Sequence, residues 1–296
     1  MDKQKVLNIA KLVLKLGFTT LLIWLVFQKI DFKQVKQVFL RSNPLFITAA
    51  FLLLTASQIV SSWRLKGFLH AATIPVSFLS NLKLYSLGLF YNSFLPGGIG
   101  GDAYKIYLLR GKYKSPAKQI LIAILLDRIS GLWAITMLAT IFLTLLHFDF
   151  IPDYLLAAMF ITGTILYYIV IYYFFRKFTH NFLRGHLKAI LAQSLQVLSV
   201  IFILSSQHFT GEYFPYLFSF LLSSIATAIP VSIGGAGVRE FVFLKLSGVL
   251  HFDPTLAVFT TLTFYLLSLM VSLPGLWFVL KKNEWSFAGK QTDKEL

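Results

Sequence analysis

Two short strings in this chain place a basic residue just beyond a glycine-rich break in an apolar run. The first reads Pro96-Gly97-Gly98-Ile99-Gly100-Gly101-Asp102-Ala103-Tyr104-Lys105. The second reads Pro230-Val231-Ser232-Ile233-Gly234-Gly235-Ala236-Gly237-Val238-Arg239, with Glu240 next. At an offset of 134 residues, Pro, Ile and two glycines coincide, and Lys105 falls opposite Arg239. A glycine turn leading into a helix leaves backbone N–H groups free, and the helix dipole adds positive potential there. With Lys105 and Arg239 within the first turn or so, the natural guest is an anion, a phosphate above all.

Other residues carry charge where charge is costly. Asp127 and Arg128 interrupt an apolar stretch, and neighbours on a helix point about 100° apart. They are expected to meet another helix or to line a lipid pathway. Asp102 and Glu240 are expected as ion-pair partners of the adjacent bases or as proton-coupling groups. Asn92 and Ser93, just before the first break, can satisfy freed backbone groups or touch the substrate. Arg64 and Lys66 are read as interface anchors closing a span.

Several chemistries are excluded. The spacing of Gly97, Gly98, Gly100 and Gly101 is neither a dinucleotide fingerprint nor a Walker loop. The chain has no cysteine and six histidines without metal-ligand spacing. No Gly-x-Ser-x-Gly elbow appears. No catalytic residue, metal or cofactor is therefore expected.

The elements that must hold these residues are membrane helices. The chain is 57% hydrophobic and only 13% charged, whereas soluble domains are about one-quarter charged. Its net charge of +15 lies largely in short segments between apolar runs, which suits an anionic leaflet and not nucleic acid. A span needs about 20 apolar residues. Stretches 6–28, 44–63, 119–146, 154–175, 187–207 and 254–280 qualify. Stretches 76–95 and 213–229 instead run into the two breaks and resume as short amphipathic pieces, 103–110 and 238–250. The fold class expected is all-α: a polytopic membrane bundle of about six full spans plus two broken hairpins.

Basic residues in short loops set orientation. Lys105, Arg110, Lys112, Lys114 and Lys118, then Arg176, Lys177, Arg184 and Lys188, then Lys281 and Lys282, are expected inside. Asp149, Asp153, Glu212 and Asp253 are expected outside, and both termini cytoplasmic. Lys29, Lys33, Lys36 and Arg41 then lie outside, and their spacing suggests an interfacial helix. With this threading the two broken segments enter from opposite faces. That is the plan of an inverted repeat, with halves of about 5–150 and 151–283 inside a single domain, 1–296. Irregular backbone at membrane depth must be buried in protein or line a wet cavity.

Three ordered motifs carry a family resemblance: Asn92-Ser93-Phe94-Leu95-Pro96-Gly97-Gly98-Ile99-Gly100-Gly101-Asp102, Leu126-Asp127-Arg128-Ile129-Ser130-Gly131, and Ile233-Gly234-Gly235-Ala236-Gly237-Val238-Arg239-Glu240. The chain resembles the lysylphosphatidylglycerol synthase transmembrane region family over roughly residues 5–283. The resemblance implies a flippase-like domain of the bacterial-type plasma membrane, linked to translocation of modified phospholipids. In the full synthases an aminoacyl-transferase domain follows. Here the chain ends soon after Lys282, so aminoacyl transfer is not expected. Archaeal relatives keep polyprenyl-phosphate sugars open as substrates.

The expected function is translocation of an anionic phospholipid or polyprenyl-phosphate lipid. Its substrate site would draw on Asn92, Pro96, Gly97, Gly98, Gly100, Gly101, Asp102, Lys105, Asp127, Arg128, Gly234, Gly235, Gly237, Arg239 and Glu240. The expected partners are membrane lipids, met through an anionic headgroup, and a second copy of the chain or a separately encoded lipid-modifying enzyme. Nucleic acid is not expected. The alternative is an enzyme or accessory subunit acting on lipid-linked sugars or aminoacylated phospholipids, which needs Asp102, Asp127 and Glu240 to converge.

Overall fold

A computed structural model describes residues 32–94, 100–146, 152–228 and 237–280. The described chain is helical: α1 (Phe32–Arg41), α2 (Pro44–Ala71), α3 (Phe78–Phe94), α4 (Gly100–Tyr113), α5 (Ala117–Leu145), α6 (Asp153–Phe174), a 3-10 turn (Arg176–Asn181), α7 (Phe182–Ser205), α8 (Phe214–Ala228), α9 (Val238–Val249), α10 (Pro254–Ser272) and α11 (Pro274–Leu280). Five helical stretches among the described residues are long and apolar enough to cross a membrane: Pro44–Ala71, Ala117–Leu145, Asp153–Phe174, Arg176–Ser205 and Pro254–Leu280. They match five of the six expected spans. The sixth, 6–28, lies outside the described residues.

Helix starts follow local chemistry. Asn43 and Asp253 cap α2 and α10, their side chains accepting from Leu45 N and Thr255 N at 2.9 and 2.7 Å. In each case a proline follows at the first helical position, where its missing N–H costs nothing. The second span outruns its expected end at 63 and continues to Ala71. This extension alters the reading of Arg64, as shown below.

α2 and α7 form the centre of the bundle and run antiparallel. Ser199 Oγ donates to the Ala50 carbonyl at 3.0 Å, Phe46 meets Phe202, and Lys188 Nζ lies 4.1 Å from the Trp63 ring centroid. The offset of 134 that aligns the glycine strings also carries α3 onto α8, and α4 largely onto α9. Each of these pairs is an antiparallel hairpin. Asn92 and Gly88 face Gly101 and Lys105 in the first, and Ser224 and Phe220 face Arg239 in the second. None of the four helices reaches the about 20 residues needed to cross hydrocarbon.

Two apolar cores divide the bundle lengthwise. The first hairpin packs with the second half of α2 (Leu65, Phe68, Leu69) and the start of α5 (Ile120, Ala123). The second packs with the first half of α2 (Ala50, Leu54), the end of α7 (Val200, Ile203) and Ala139 late in α5. The hairpins therefore join opposite ends of α2. Phe178 beside Arg176 and Lys177 joins the first core, as does Leu109 beside Arg110. Tyr213 and Phe252, beside Glu212 and Asp253, pack on the second. The charge asymmetry of the loops is thus an asymmetry between the two ends. α1 lies at the Glu212–Asp253 end: the Asn43 N–H bonds the Ser206 carbonyl at 2.9 Å, and Phe39 meets Phe259 on α10. α1 covers the described part of the segment expected as an interfacial helix.

Candidate functional site

One face of α2 stays polar within an apolar helix. Ser57, Ser61 and Ser62 are buried there, and Gln58 sits among them. The 3.6-residue period stacks Ser57, Ser61 and Arg64 along one stripe. α3 answers it. Asn81 Nδ2 donates to the carbonyl and hydroxyl of Ser62 at 2.5 and 2.9 Å. The Tyr85 hydroxyl donates to Gln58 Oε1 at 3.4 Å.

The stripe ends in ion pairs. Arg64 Nε donates to Asp127 Oδ1 at 2.8 Å and Nη2 to Asp127 Oδ2 at 3.3 Å. Both side chains are below 10% exposed. Arg64 is therefore no interface anchor, and the expectation drawn from its place at 63–66 is corrected. Two further turns of α2 follow it, so it cannot reach the helix end. Gly131, one turn after Asp127, makes room for it: a Cβ there would stand 3.1 Å from Arg64 Nη1. That Nη1 is buried and meets no acceptor among the described residues.

Asp102, in the first turn of α4, holds two cations. Its Oδ1 accepts from Lys105 Nζ at 3.1 Å, and its Oδ2 accepts from Arg128 Nε on α5. Asp102 and Lys105 are buried, whereas the Arg128 side chain is 41% exposed. Lys105 Nζ also lies 4.8 Å from the Tyr85 ring centroid. Its stem fills the space where a Gly88 Cβ would stand. Two carboxylates and three cations from α2, α4 and α5 thus meet inside the first half. Asp127 and Arg128 do not pair with each other; each reaches a different helix.

Asn92 serves the backbone. Its Oδ1 accepts the Gly101 N–H at 2.8 Å, meeting one of the open donors at the start of α4. A Cβ on Gly101 would overlap the Gly88 carbonyl oxygen and press on Asn92 Oδ1. Glycine is needed there for close helix approach. Gly100 opens α4. Pro96, Gly97, Gly98, Gly234 and Gly235 lie outside the described residues.

The second half holds fewer charges. Gly237, at φ 81°, caps α9, and its N–H donates to Glu240 Oε2 at 2.9 Å. Glu240 is buried and reaches back to the N-cap N–H, the half of a capping box that a glycine cap allows; no ion pair joins it to Arg239 among the described residues. Arg239 Nη1 donates to Ser224 Oγ at 3.0 Å, and the guanidinium sits 5.0 and 4.9 Å from the Phe220 and Phe264 ring centroids.

The site residues that sequence reasoning passed over are Arg64, Tyr85, Gly88 and the Ser57–Ser62 stripe. The i, i+4 recurrence of Ser57 and Ser61, continued by Arg64, was the available signal.

Among known families, the model described as lysylphosphatidylglycerol synthase TM region matches residues 12–275. Among curated proteins none matches the chain.

Proposed function

The chain belongs to the lysylphosphatidylglycerol synthase TM region family, and from that premise we propose that it carries anionic lipid headgroups across the bilayer. It is an integral membrane protein of a family associated with lipid handling. The finer reading is a flippase-like transporter of the bacterial-type plasma membrane, with both termini cytoplasmic. Its substrate would be an anionic phospholipid or a polyprenyl-phosphate lipid. In this reading Lys105, Arg128 and Arg239 compensate the phosphate, while the lipid tails remain in the bilayer.

One observation carries the proposal. Two buried cations, Arg64 and Lys105, and two buried carboxylates, joined at the edge by Arg128, are gathered in an apolar bundle, where each isolated buried charge costs several kcal/mol (roughly). A fold gains little stability from burying such a cluster, so a role in handling charge is the economical account. The half-exposed Arg128 is the edge at which a headgroup would arrive. The antiparallel α2–α7 pair, the 134-residue offset and the hairpins at opposite ends support two inverted halves. Such halves place substrate sites near the bilayer midplane.

The enzymatic alternative needs three converging carboxylates. Asp102 and Asp127 each hold cations with both oxygens, and Glu240 caps its own helix in the other half. These partners suit charge compensation better than proton transfer.

Reconstitution in liposomes tests the reading. Headgroup-labelled phosphatidylglycerol should cross in vesicles holding the wild-type protein. Lys105→Ala combined with Arg239→Ala should slow crossing at least about tenfold, the loss of one charge-assisted bond of about 1.5–3 kcal/mol. Equal crossing by both proteins, or by empty vesicles, would remove the proposal.

A further inference from the structure

Lys105 and Arg239 occupy matching positions on the second helices of the two hairpins, yet their surroundings differ in one respect. Lys105 has a counter-ion, Asp102, at 3.1 Å. Arg239 has no carboxylate in ion-pair range among the described residues. The nearest acid in sequence, Glu240, turns its Oε2 to the Gly237 N–H. Of the five N–H donors of Arg239, one is met among the described residues, by Ser224 Oγ at 3.0 Å. Phe220 and Phe264 offer ring faces. Rings attract a cation but bring no net negative charge. A guanidinium inside a membrane bundle with no direct ion pair to a carboxylate among the described residues is an arrangement that folding alone does not favour.

A second, independent feature lies on α10. Thr260 is 1% exposed, and its Oγ1 has no hydrogen-bond partner among the described residues. Threonines in these helices ordinarily bond back to a carbonyl one turn earlier, as Thr261 does to the Ala257 oxygen at 3.2 Å. Thr260 does not. It stands one turn before Phe264 on the same helix face, and Phe264 lies under the Arg239 guanidinium. A buried hydroxyl left unmet costs about 1–3 kcal/mol. Phe264 thus links the two groups: its ring lies under the Arg239 guanidinium, and Thr260 stands one turn before it on the same face of α10.

We infer that Arg239 and Thr260, with Ser224 holding the guanidinium in place, form a second anion site, which takes the phosphate of a membrane lipid in the half opposite the Asp102 cluster. The inference rests on the lipid reading above and adds to it a separate seat. In the first half the cations are engaged by Asp102 and Asp127. In the second half the counter-ion of Arg239 comes from the guest. Ser224 is hydrogen-bonded through its own hydroxyl to the Phe220 carbonyl at 2.8 Å, which fixes its oxygen toward Arg239 and orders the platform.

Photo-crosslinking in liposomes tests this, with phosphatidylglycerol carrying a diazirine on its headgroup and adducts mapped by mass spectrometry. Diacylglycerol carrying the same group serves as the phosphate-free control. Headgroup-dependent adducts are expected on two sets of peptides, those of α4–α5 and those of α8–α10. Thr260→Val should lower the α8–α10 yield about tenfold, the equivalent of one hydrogen bond to a charged group, and leave the α4–α5 yield unchanged. The same variant should leave the guest-free protein as stable as wild type or more so, because it removes an unmet hydroxyl. Arg239→Gln should abolish the α8–α10 adducts; if that variant does not fold, Thr260→Val carries the test alone. Adducts on α4–α5 only, or an α8–α10 yield indifferent to Thr260→Val, would overturn the second site and leave the lipid reading standing. Adducts no stronger than those of diacylglycerol on either set would overturn both. Full displacement from α8–α10 by millimolar inorganic phosphate would assign the seat to free phosphate and overturn the lipid assignment.

Discussion

Arg64 on α2 and Asp127 on α5, 63 residues apart in sequence, meet in a two-point ion pair with Nε–Oδ1 at 2.8 Å and Nη2–Oδ2 at 3.3 Å. The pair ties the central helix to the helix that carries Arg128. Arg128 in turn holds Asp102 at the start of the first hairpin's second helix. Removing one partner strands the other charge in a buried position. Asp127→Asn or Arg64→Met should each lower stability by about 3–5 kcal/mol. Arg64→Met with Asp127→Leu should lower it by less than the two single losses combined, because no charge is stranded. Equilibrium unfolding in mixed micelles measures this, and additive losses would contradict the coupling.

Gly131 and Gly101 should differ in tolerance. A Cβ at Gly131 would stand 3.1 and 3.3 Å from the Arg64 guanidinium nitrogens, which can shift by a few tenths of an ångström. A Cβ at Gly101 would overlap the backbone of Gly88, which cannot. Gly131→Ala should cost about 1 kcal/mol, and Gly101→Ala roughly 3 kcal/mol or more through overpacking. Thermal unfolding of the two variants in detergent would show the order, and a reversed order would refute the packing argument.

Asn92 should behave as a cap rather than a substrate ligand. Asn92→Ala exposes the Gly101 N–H and should cost about 1 kcal/mol. Asn92→Asp preserves the acceptor and should restore stability. If transport falls equally in both variants while stability holds, Asn92 contacts the lipid.

Glu240 offers a parallel case in the other half. Glu240→Gln keeps an acceptor for the Gly237 N–H, whereas Glu240→Leu does not. The leucine variant should be the less stable by about 1 kcal/mol. Headgroup crossing should track stability in both. A selective loss of crossing in Glu240→Gln, at unchanged melting temperature, would give the carboxylate a role in proton coupling.

Tyr85 separates ring from hydroxyl. Its ring lies beneath Lys105, and its hydroxyl reaches Gln58. Tyr85→Phe should leave Lys105 in place and change headgroup crossing less than twofold. Tyr85→Leu should free the ammonium from its platform, worth about 1–2 kcal/mol when desolvated, and slow crossing severalfold. Proteoliposome assays of the two variants side by side would decide.

The sequence by itself determined the five described membrane helices, the two short helical hairpins, the matched cations and the family. Each depends on composition summed along a local stretch: twenty apolar residues, a glycine run, a basic residue one turn on. It also contained the stripe Ser57, Ser61, Arg64, but nothing local distinguishes a buried arginine from one that snorkels. That distinction depended on α2 continuing to Ala71 and on α5 lying alongside with Gly131 opposite. Likewise Asn92 and Glu240 were legible as polar residues near a break, while their duty to the Gly101 and Gly237 N–H groups was decided by the hairpin geometry. A charge in a membrane settles on whichever partner packing brings within about 3 Å. Packing between helices far apart in the chain is a property of the whole bundle and not of any segment.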